Sequence, residues 1–261
     1  MKAFFISLSL IFLLTSCVGT RTKPNDLGFN VDNRKDLAIG SIIYRKNFPQ
    51  ALEHILKAEE MDKKDPEIYN IKGLVYFNLR DYGQAQIAYQ KAISLDKEFP
   101  EARYNLCGLY MTLSKWENAV EECKIAASNI IYKSRHKAFT SLGVAYFRLG
   151  DMESAEEAFQ QALELNPSHV YTIVELGKLY MHRGRESDAI ELFVRALEGW
   201  DMYDEAHYNL GLAYLKIGKK RNACTHFRRV VEISPDLRIG LDSNGYLKSV
   251  CSKLPKRRRF K

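Results

Sequence analysis

No stretch of the 261-residue sequence is both long enough and apolar enough to cross a bilayer. The longest apolar run, FFISLSLIFLL after Lys2, falls short of the roughly 20 residues a spanning helix needs. Catalytic signatures are missing too. The six histidines, His54, His136, His169, His182, His207 and His226, form no H-E-x-x-H, and no serine or cysteine sits in a nucleophile motif. An enzyme therefore has no residues to stand on. Glycines do not gather in a phosphate-cradling loop, so no nucleotide is expected. Cys224-Thr225-His226 offers two ligands on one helix, whereas structural zinc takes four, and neither metal nor other cofactor is expected. What is present is an ordinary globular composition, 46% apolar and 27% charged. The net charge of +7 is partly local, because Lys256, Arg257, Arg258, Arg259 and Lys261 crowd the C-terminus. A mild and localised excess of this kind does not make nucleic acid an expected partner.

The clearest unit is residues 141–167, SLGVAYFRLGDMESAEEAFQQALELNP. Leu142-Gly143, Tyr146, Ala155, Phe159, Ala162 and Pro167 reproduce the pattern of the tetratricopeptide repeat, a 34-residue helix-turn-helix. Small residues stand where two antiparallel helices cross closely, aromatics fill the space beside the crossing, and Gly150 ends the first helix where a left-handed backbone suits glycine. The position of Gly143 recurs at Ile39, Gly73, Cys107, Gly177 and Gly211, in steps of 34 apart from one of 36 between Cys107 and Gly143. Phe159 recurs as Ile55, Tyr89, Cys123, Phe193 and Phe227. The expected fold is all-α: a right-handed superhelical solenoid of six repeats over 32–237, closed by a capping helix and basic tail over 238–261. In that tail Leu241, Tyr246, Leu247 and Val250 recur at roughly helical spacing and should cover the last open face. The two extra residues fall within 126–143 and should splay repeats three and four apart.

The apolar run after Lys2 has the length of a signal-peptide core and ends in Leu14-Thr15-Ser16-Cys17, which resembles the bacterial lipobox. That resemblance implies that residues 1–16 are a lipoprotein signal peptide and that Cys17 is acylated. Val18 rather than aspartate after it implies an outer-membrane, periplasm-facing location. Residues 17–31 are then a lipidated, turn-rich tether between membrane and fold.

With a lipobox ahead of six repeats and an irregular third junction, the chain resembles the type IV pilus biogenesis lipoproteins, the pilotins that bring an outer-membrane secretin to its place. Ala127-Ser128, Tyr132, Arg135, Phe139 and Leu142-Gly143 are the matching junction positions. The resemblance implies a non-enzymatic scaffold whose partner is a secretin segment. The alternative is a general envelope adaptor that docks peptidoglycan hydrolases or other cell-wall enzymes.

Solenoids of this kind bind through the concave face lined by the first helix of each repeat. Four residues past each register position stand Ile43, Phe77, Met111, Phe147, Met181 and Leu215, all apolar. Leu74, Tyr104, Val144, Val174, Tyr208 and Leu212 adjoin them, with Tyr44, Arg148, His182 and Lys216 at the rim. One reading makes this stripe a groove for an apolar or amphipathic segment, with Phe77 and Phe147 facing solvent until the partner arrives. The other has it pack one first helix on the next. Cys107 and Cys123 both fall on core positions of repeat three. The preferred reading is a pair of small core hydrophobes, with a bridge as the alternative. Cys224 and Cys251 are a second possible pair whose separation spacing alone does not give.

Overall fold

The computed structural model describes residues 30–44 and 46–254. Cys17, most of the expected tether and the tail from residue 255 onward lie outside the described residues. The described chain is helical throughout, with no strand among the described residues. Twelve helices form six consecutive pairs: α1 (Val31–Ile43) with α2 (Phe48–Met61), α3 (Pro66–Asn78) with α4 (Tyr82–Leu95), α5 (Pro100–Thr112) with α6 (Trp116–Ser128), α7 (Arg135–Leu149) with α8 (Met152–Leu165), α9 (Val170–His182) with α10 (Glu186–Gly199), and α11 (Asp204–Lys216) with α12 (Lys220–Ile233). A thirteenth helix, α13 (Arg238–Ser249), and a 3-10 turn at Cys251–Lys253 close the array. None of the described helices is long and apolar enough to cross a membrane.

Each pair is turned by the same device. The residue seven past the register position has positive φ in all six repeats: Lys46 (48°), Arg80 (62°), Ser114 (56°), Gly150 (86°), Gly184 (73°) and Gly218 (77°). In repeats two to six the next amide donates back to the carbonyl of the first-helix tyrosine, as Lys115 N does to Tyr110 O at 2.8 Å and Asp151 N to Tyr146 O at 3.0 Å. This six-to-one closure satisfies carbonyls that the ending helix would otherwise leave bare. Asn47, Asp81 and Asp151 then cap α2, α4 and α8, accepting from the amides of Gln50, Gln84 and Ser154.

Pairs are locked by a glycine and an aromatic ring. A Cβ on Gly73, Gly143, Gly177 or Gly211 would lie 2.4 to 2.7 Å from the ring of Tyr89, Phe159, Phe193 or Phe227. The ring lies against the bare helix, and these four side chains are among the largest fully buried ones. Repeat one uses Ile39 against the fully buried Ile55. Repeat three uses neither: Cys107 and Cys123 are joined by a disulfide with Cα atoms 5.3 Å apart. This corrects the preferred sequence reading of two small core hydrophobes. The register itself brings both positions to the closest point of the crossing, and the two sulfurs take the volume a ring takes elsewhere. A second disulfide joins Cys224 of α12 to Cys251, with Cα atoms 5.8 Å apart, and holds the C-terminal turn beside the last repeat.

The third junction also departs from expectation. Residues 129–134 connect α6 to α7, two more than the four-residue links at the other repeat boundaries, yet the repeats are not splayed. Instead α6 packs on α7 more extensively than the second helix of any other repeat packs on its successor. The extra length turns Tyr132 inward against Ala126, Ala127 and Ala138, beside Tyr104 and Phe139. Arg135 Nε donates to Ala127 O at 2.9 Å while its guanidinium lies 5.8 Å over Phe139. At the C-terminal end Tyr246 of α13 stacks on Phe227 at 4.6 Å. Gly240 permits the turn into α13, since a Cβ there would meet Ser234 O at 1.8 Å. Leu241, expected on the covering face, is exposed.

Candidate partner-binding face

The first-helix layer carries two chemistries along its length. At the C-terminal ends lies the apolar stripe. Phe77 packs with Leu74 and Met111 against the core of repeats two and three, and its ring is 5.7 Å from Tyr82. Met111 also reaches the next cluster, where it meets Phe147 and Val144. Phe147 in turn stands edge-on to His182 at 5.6 Å, and Met181 packs into the cluster of repeats five and six. Each of these side chains is therefore half-buried, leaning on the following repeat, and only part of it faces outward. The expectation that Phe77 and Phe147 face solvent is corrected on this point: one first helix follows another so closely that a concave position and an inter-repeat position are the same place.

The remaining stripe residues differ among themselves. Val144 is buried at 8% exposure, and Ile43, at the open N-terminal end, is 60% exposed. Leu215 and Leu74 are half-buried. Tyr104 rests on Tyr132 at 6.2 Å. Tyr208 contacts Phe227 at 6.0 Å and Tyr246 at 6.5 Å, so the capping helix and not a neighbouring repeat backs it. At the rim, Lys216 Nζ pairs with Glu186 at 2.6 Å and donates to Met181 O at 3.2 Å. The guanidinium of Arg148 lies 5.8 Å over Trp116.

In the N-terminal halves and middles of the same helices runs a ladder of polar links that the sequence reading missed. Lys35 Nζ joins Asp65 and Glu67 at 2.9 and 2.6 Å. Burial opposes its charge, but the surrounding carboxylates outweigh that and hold its pKa above the usual lysine value. Asn105 Nδ2 donates to Asn70 Oδ1 at 2.8 Å. The hydroxyls of Thr140 and Thr172 meet at 2.6 Å, and His169 Nδ1 lies 2.6 Å from the latter. Between repeats five and six, Lys178 Nζ bridges Glu175 (2.7 Å) and Glu205 (3.0 Å). Burial raises the Glu175 carboxyl, and Lys178 pulls it back. Links of this kind fix one first helix against the next without apolar surface. Most of these groups are themselves buried, Thr140 at 1%, Thr172 at 0% and Glu175 at 4% exposure, so the ladder lies between the first helices and the apolar stripe is the part of the layer that reaches the surface. Among the described residues no three His, Cys, Asp or Glu side chains converge as metal ligands would.

Two further features were not legible as site residues. At the third junction Ile130 and Ile131 are 82% and 80% exposed and flank a cleft of about 410 Å3 with Glu98 and Arg103. In the last repeat, the Nδ1 atoms of His207 and His226 lie 3.0 Å apart, with His207 Nε2 2.9 Å from Asp201 O. Burial lowers both histidines, and His207 lowers its partner further, to about 4.

Comparison with known sequences agrees with this geometry. Three stretches, 66–99, 136–169 and 204–237, match models of the tetratricopeptide repeat, and each covers one of the helix pairs above. These stretches of the chain are tetratricopeptide repeats. The chain's curated relatives are mostly much longer. This chain covers 11% of the human cilia- and flagella-associated protein 70 at 28% identity over 48% of its own length. It covers 17% of the human RNA polymerase II-associated protein 3 at 28% identity over 44% of its own length. The type IV pilus assembly protein PilF of Pseudomonas aeruginosa is similar over a larger share: 24% identity across 179 residues, 64% of this chain and 70% of PilF. Among solved structures, that of Pseudomonas aeruginosa PilF superposes with a TM-score of 0.73 at 19% identity, over 82% of this chain and 96% of the other. PilW, described as a widely conserved type IV pilus biogenesis factor, gives 0.75 at 17% identity over 81% and 97%. At these identities the structural likeness concerns the fold.

Proposed function

We propose that this protein is a non-enzymatic scaffold of the cell envelope, a pilotin that helps the type IV pilus secretin reach and assemble in the outer membrane. The observation that carries this reading is the PilF likeness: it extends over 70% of PilF, whereas the other relatives named above are matched over a small fraction of theirs. The buried Tyr132 with the half-buried Arg135 and Phe139 at the third junction support it, because these residues, which carried the resemblance in sequence, form a packed structural unit. Cys17, acylated, would hold the chain at the membrane, and the two disulfides suit an oxidising compartment outside the cytoplasm. In this reading Ile43, Leu74, Phe77, Tyr104, Met111, Val144, Phe147, Met181, Tyr208 and Leu215 receive an apolar or amphipathic secretin segment, with Phe77, Met111 and Phe147 at the middle of the band.

The test compares a variant of the inner band with a control in the second-helix layer. Phe77→Ala with Phe147→Ala removes half-buried rings from the inner band, at about 1 to 2 kcal/mol each. Leu52→Ala removes a half-buried side chain from the second-helix layer, where Leu52 packs on the core of repeat one. Heat-resistant secretin multimers are then measured in outer-membrane fractions of cells in which either variant is processed and anchored through Cys17. Loss of multimers with the double variant and retention with Leu52→Ala is the expected result. Normal multimers with a folded, anchored double variant would remove the secretin from the groove and leave the general envelope adaptor, docking cell-wall enzymes, in its place.

A further inference from the structure

The protein's charge is concentrated at one end. Residues 219–261 contain thirteen Lys and Arg against three Asp and Glu, a net +10, so the remaining 218 residues carry a net −3 of the total +7. Within the described part, Lys219, Lys220, Arg221 and Arg228 lie on or immediately before α12 and are exposed, as are Lys248 and Lys253. Among the described residues Lys219, Lys220, Arg228, Lys248 and Lys253 have no ion-pair partner, whereas Arg229 pairs with Glu232 and Arg238 with Asp242.

Local stability does not explain the arrangement. Lys219, Lys220 and Arg221 crowd the start of α12, where the helix dipole disfavours cations, and the helix has no acidic residue in its first turn and no side-chain cap. A placement that works against its own helix is expected where the residues serve something outside it. Arg221 and Arg228, two turns apart on one face of α12, line a cleft of about 490 Å3 together with Cys224, Cys251 and Leu254. The Cys224–Cys251 bridge holds the C-terminal turn at that cleft, which Leu254 also lines; in the sequence, five more Lys and Arg follow within residues 255–261.

We propose that the α12 and C-terminal end of the solenoid is a docking surface for the phosphate headgroups of an anionic phospholipid bilayer. Arg221 and Arg228, beside the Cys224–Cys251 disulfide, form its site. The chemistry required of the partner is dense, repeated negative charge on a surface, which a headgroup layer supplies and an isolated phosphate does not. Nucleic acid has the charge, but two disulfides belong to an oxidising compartment, where headgroups are the abundant polyanion. The surface lies at the opposite end of the array from Val31 and does not depend on any lipid at Cys17.

The test uses the unacylated chain 18–261, which keeps every packing contact described above. Its co-sedimentation is measured with vesicles of phosphatidylcholine alone and of phosphatidylcholine with one third phosphatidylglycerol, at low and high salt. Binding to the anionic vesicles alone, weakened by salt, is expected. Each basic residue near such a surface is worth about fivefold, so Arg221→Ala with Arg228→Ala should reduce partitioning roughly 25-fold with an unchanged helical circular-dichroism spectrum. Equal binding to both vesicles, no binding, or no response to the double variant would each overturn the proposal. Tighter association with a duplex DNA probe than with the anionic vesicles would assign the surface to nucleic acid instead. Ending the chain at Leu254 provides the second reading: the shortened chain should still lose partitioning when Arg221 and Arg228 are replaced by Ala, and a shortened chain that the double substitution leaves unaffected refutes the proposal.

Discussion

Replacing Cys107 and Cys123 by the pair that other repeats use would separate what the bridge does from what the volume does. The bridge closes a loop with a sequence separation of 16, and restricting the unfolded chain over such a loop is worth about 3 kcal/mol. Cys107→Ala with Cys123→Ala loses that and leaves the space of two sulfurs partly empty. Cys107→Gly with Cys123→Phe also loses the crosslink. It regains a buried ring, worth about 1.5 to 3 kcal/mol, against about 1 kcal/mol for a glycine within a helix. For a chain of this length 1 kcal/mol moves the thermal midpoint by about 2 to 4 °C. The Ala pair should therefore melt roughly 6 to 12 °C below the parent, with the Gly–Phe pair between them. The assay is thermal unfolding followed by circular dichroism, in a Cys224→Ala, Cys251→Ala background so that reductant acts on one bridge only. Reductant should lower the parent below the Gly–Phe variant and leave both variants unmoved. The reasoning fails if the parent ignores reductant, or if the Gly–Phe variant melts below the Ala pair. The latter would mean that the third crossing has no room for a ring.

Two other outcomes follow from the backbone and from burial. Arg80→Gly and Ser114→Gly relieve left-handed residues at the turns (φ 62° and 56°) and should each raise the urea midpoint by an amount equivalent to about 0.5 to 1 kcal/mol. Gly150→Ala, at φ 86°, should lower it by about 1 to 2 kcal/mol. His226, half-buried beside His207, is depressed by burial and by its neighbour from 6.5 to about 4, so the folded state binds its proton less readily than the unfolded one. Its contribution is complete above pH 6.5 and disappears as pH falls towards 4. Allowing for solvent that reaches the ring, the parent should lose about 2 kcal/mol more than His226→Gln between pH 7 and pH 4, and parallel urea midpoints for the two would refute this.

The six-repeat solenoid was legible because helix crossings recur every 34 residues and demand the same sizes each time, as Gly143 with Phe159 and Gly177 with Phe193 show. The first bridge was within reach of the same logic. Positions equivalent to Gly73 and Tyr89 touch, so Cys107 and Cys123 had to lie within bonding distance. The second was not, because Cys251 stands beyond the repeats and its position depends on how α13 folds back. The inner face was half legible. Its apolar positions followed the repeat, but whether Phe77 faces a ligand or the next helix depends on the spacing between repeats, which sequence does not state. The polar ladder escaped because its partners are 35, 32 and 27 residues apart, out of step with the 34-residue register. The excess at 129–134 suggested a gap, and the chain used it to bury Tyr132.

The distribution of the two disulfides gives the array a direction. In a chain of repeats that touch only their neighbours, unravelling starts at an end and advances unit by unit. One end is riveted through Cys224–Cys251, and a second rivet sits in repeat three. Repeat one has neither a bridge nor the glycine–ring lock, only Ile39 against Ile55, and its terminal Ile43 and Tyr44 are bare. Tension applied through the residues before Val31 would therefore enter at the least secured unit, peel α1 and α2 away first, and stall at the crosslink between α5 and α6.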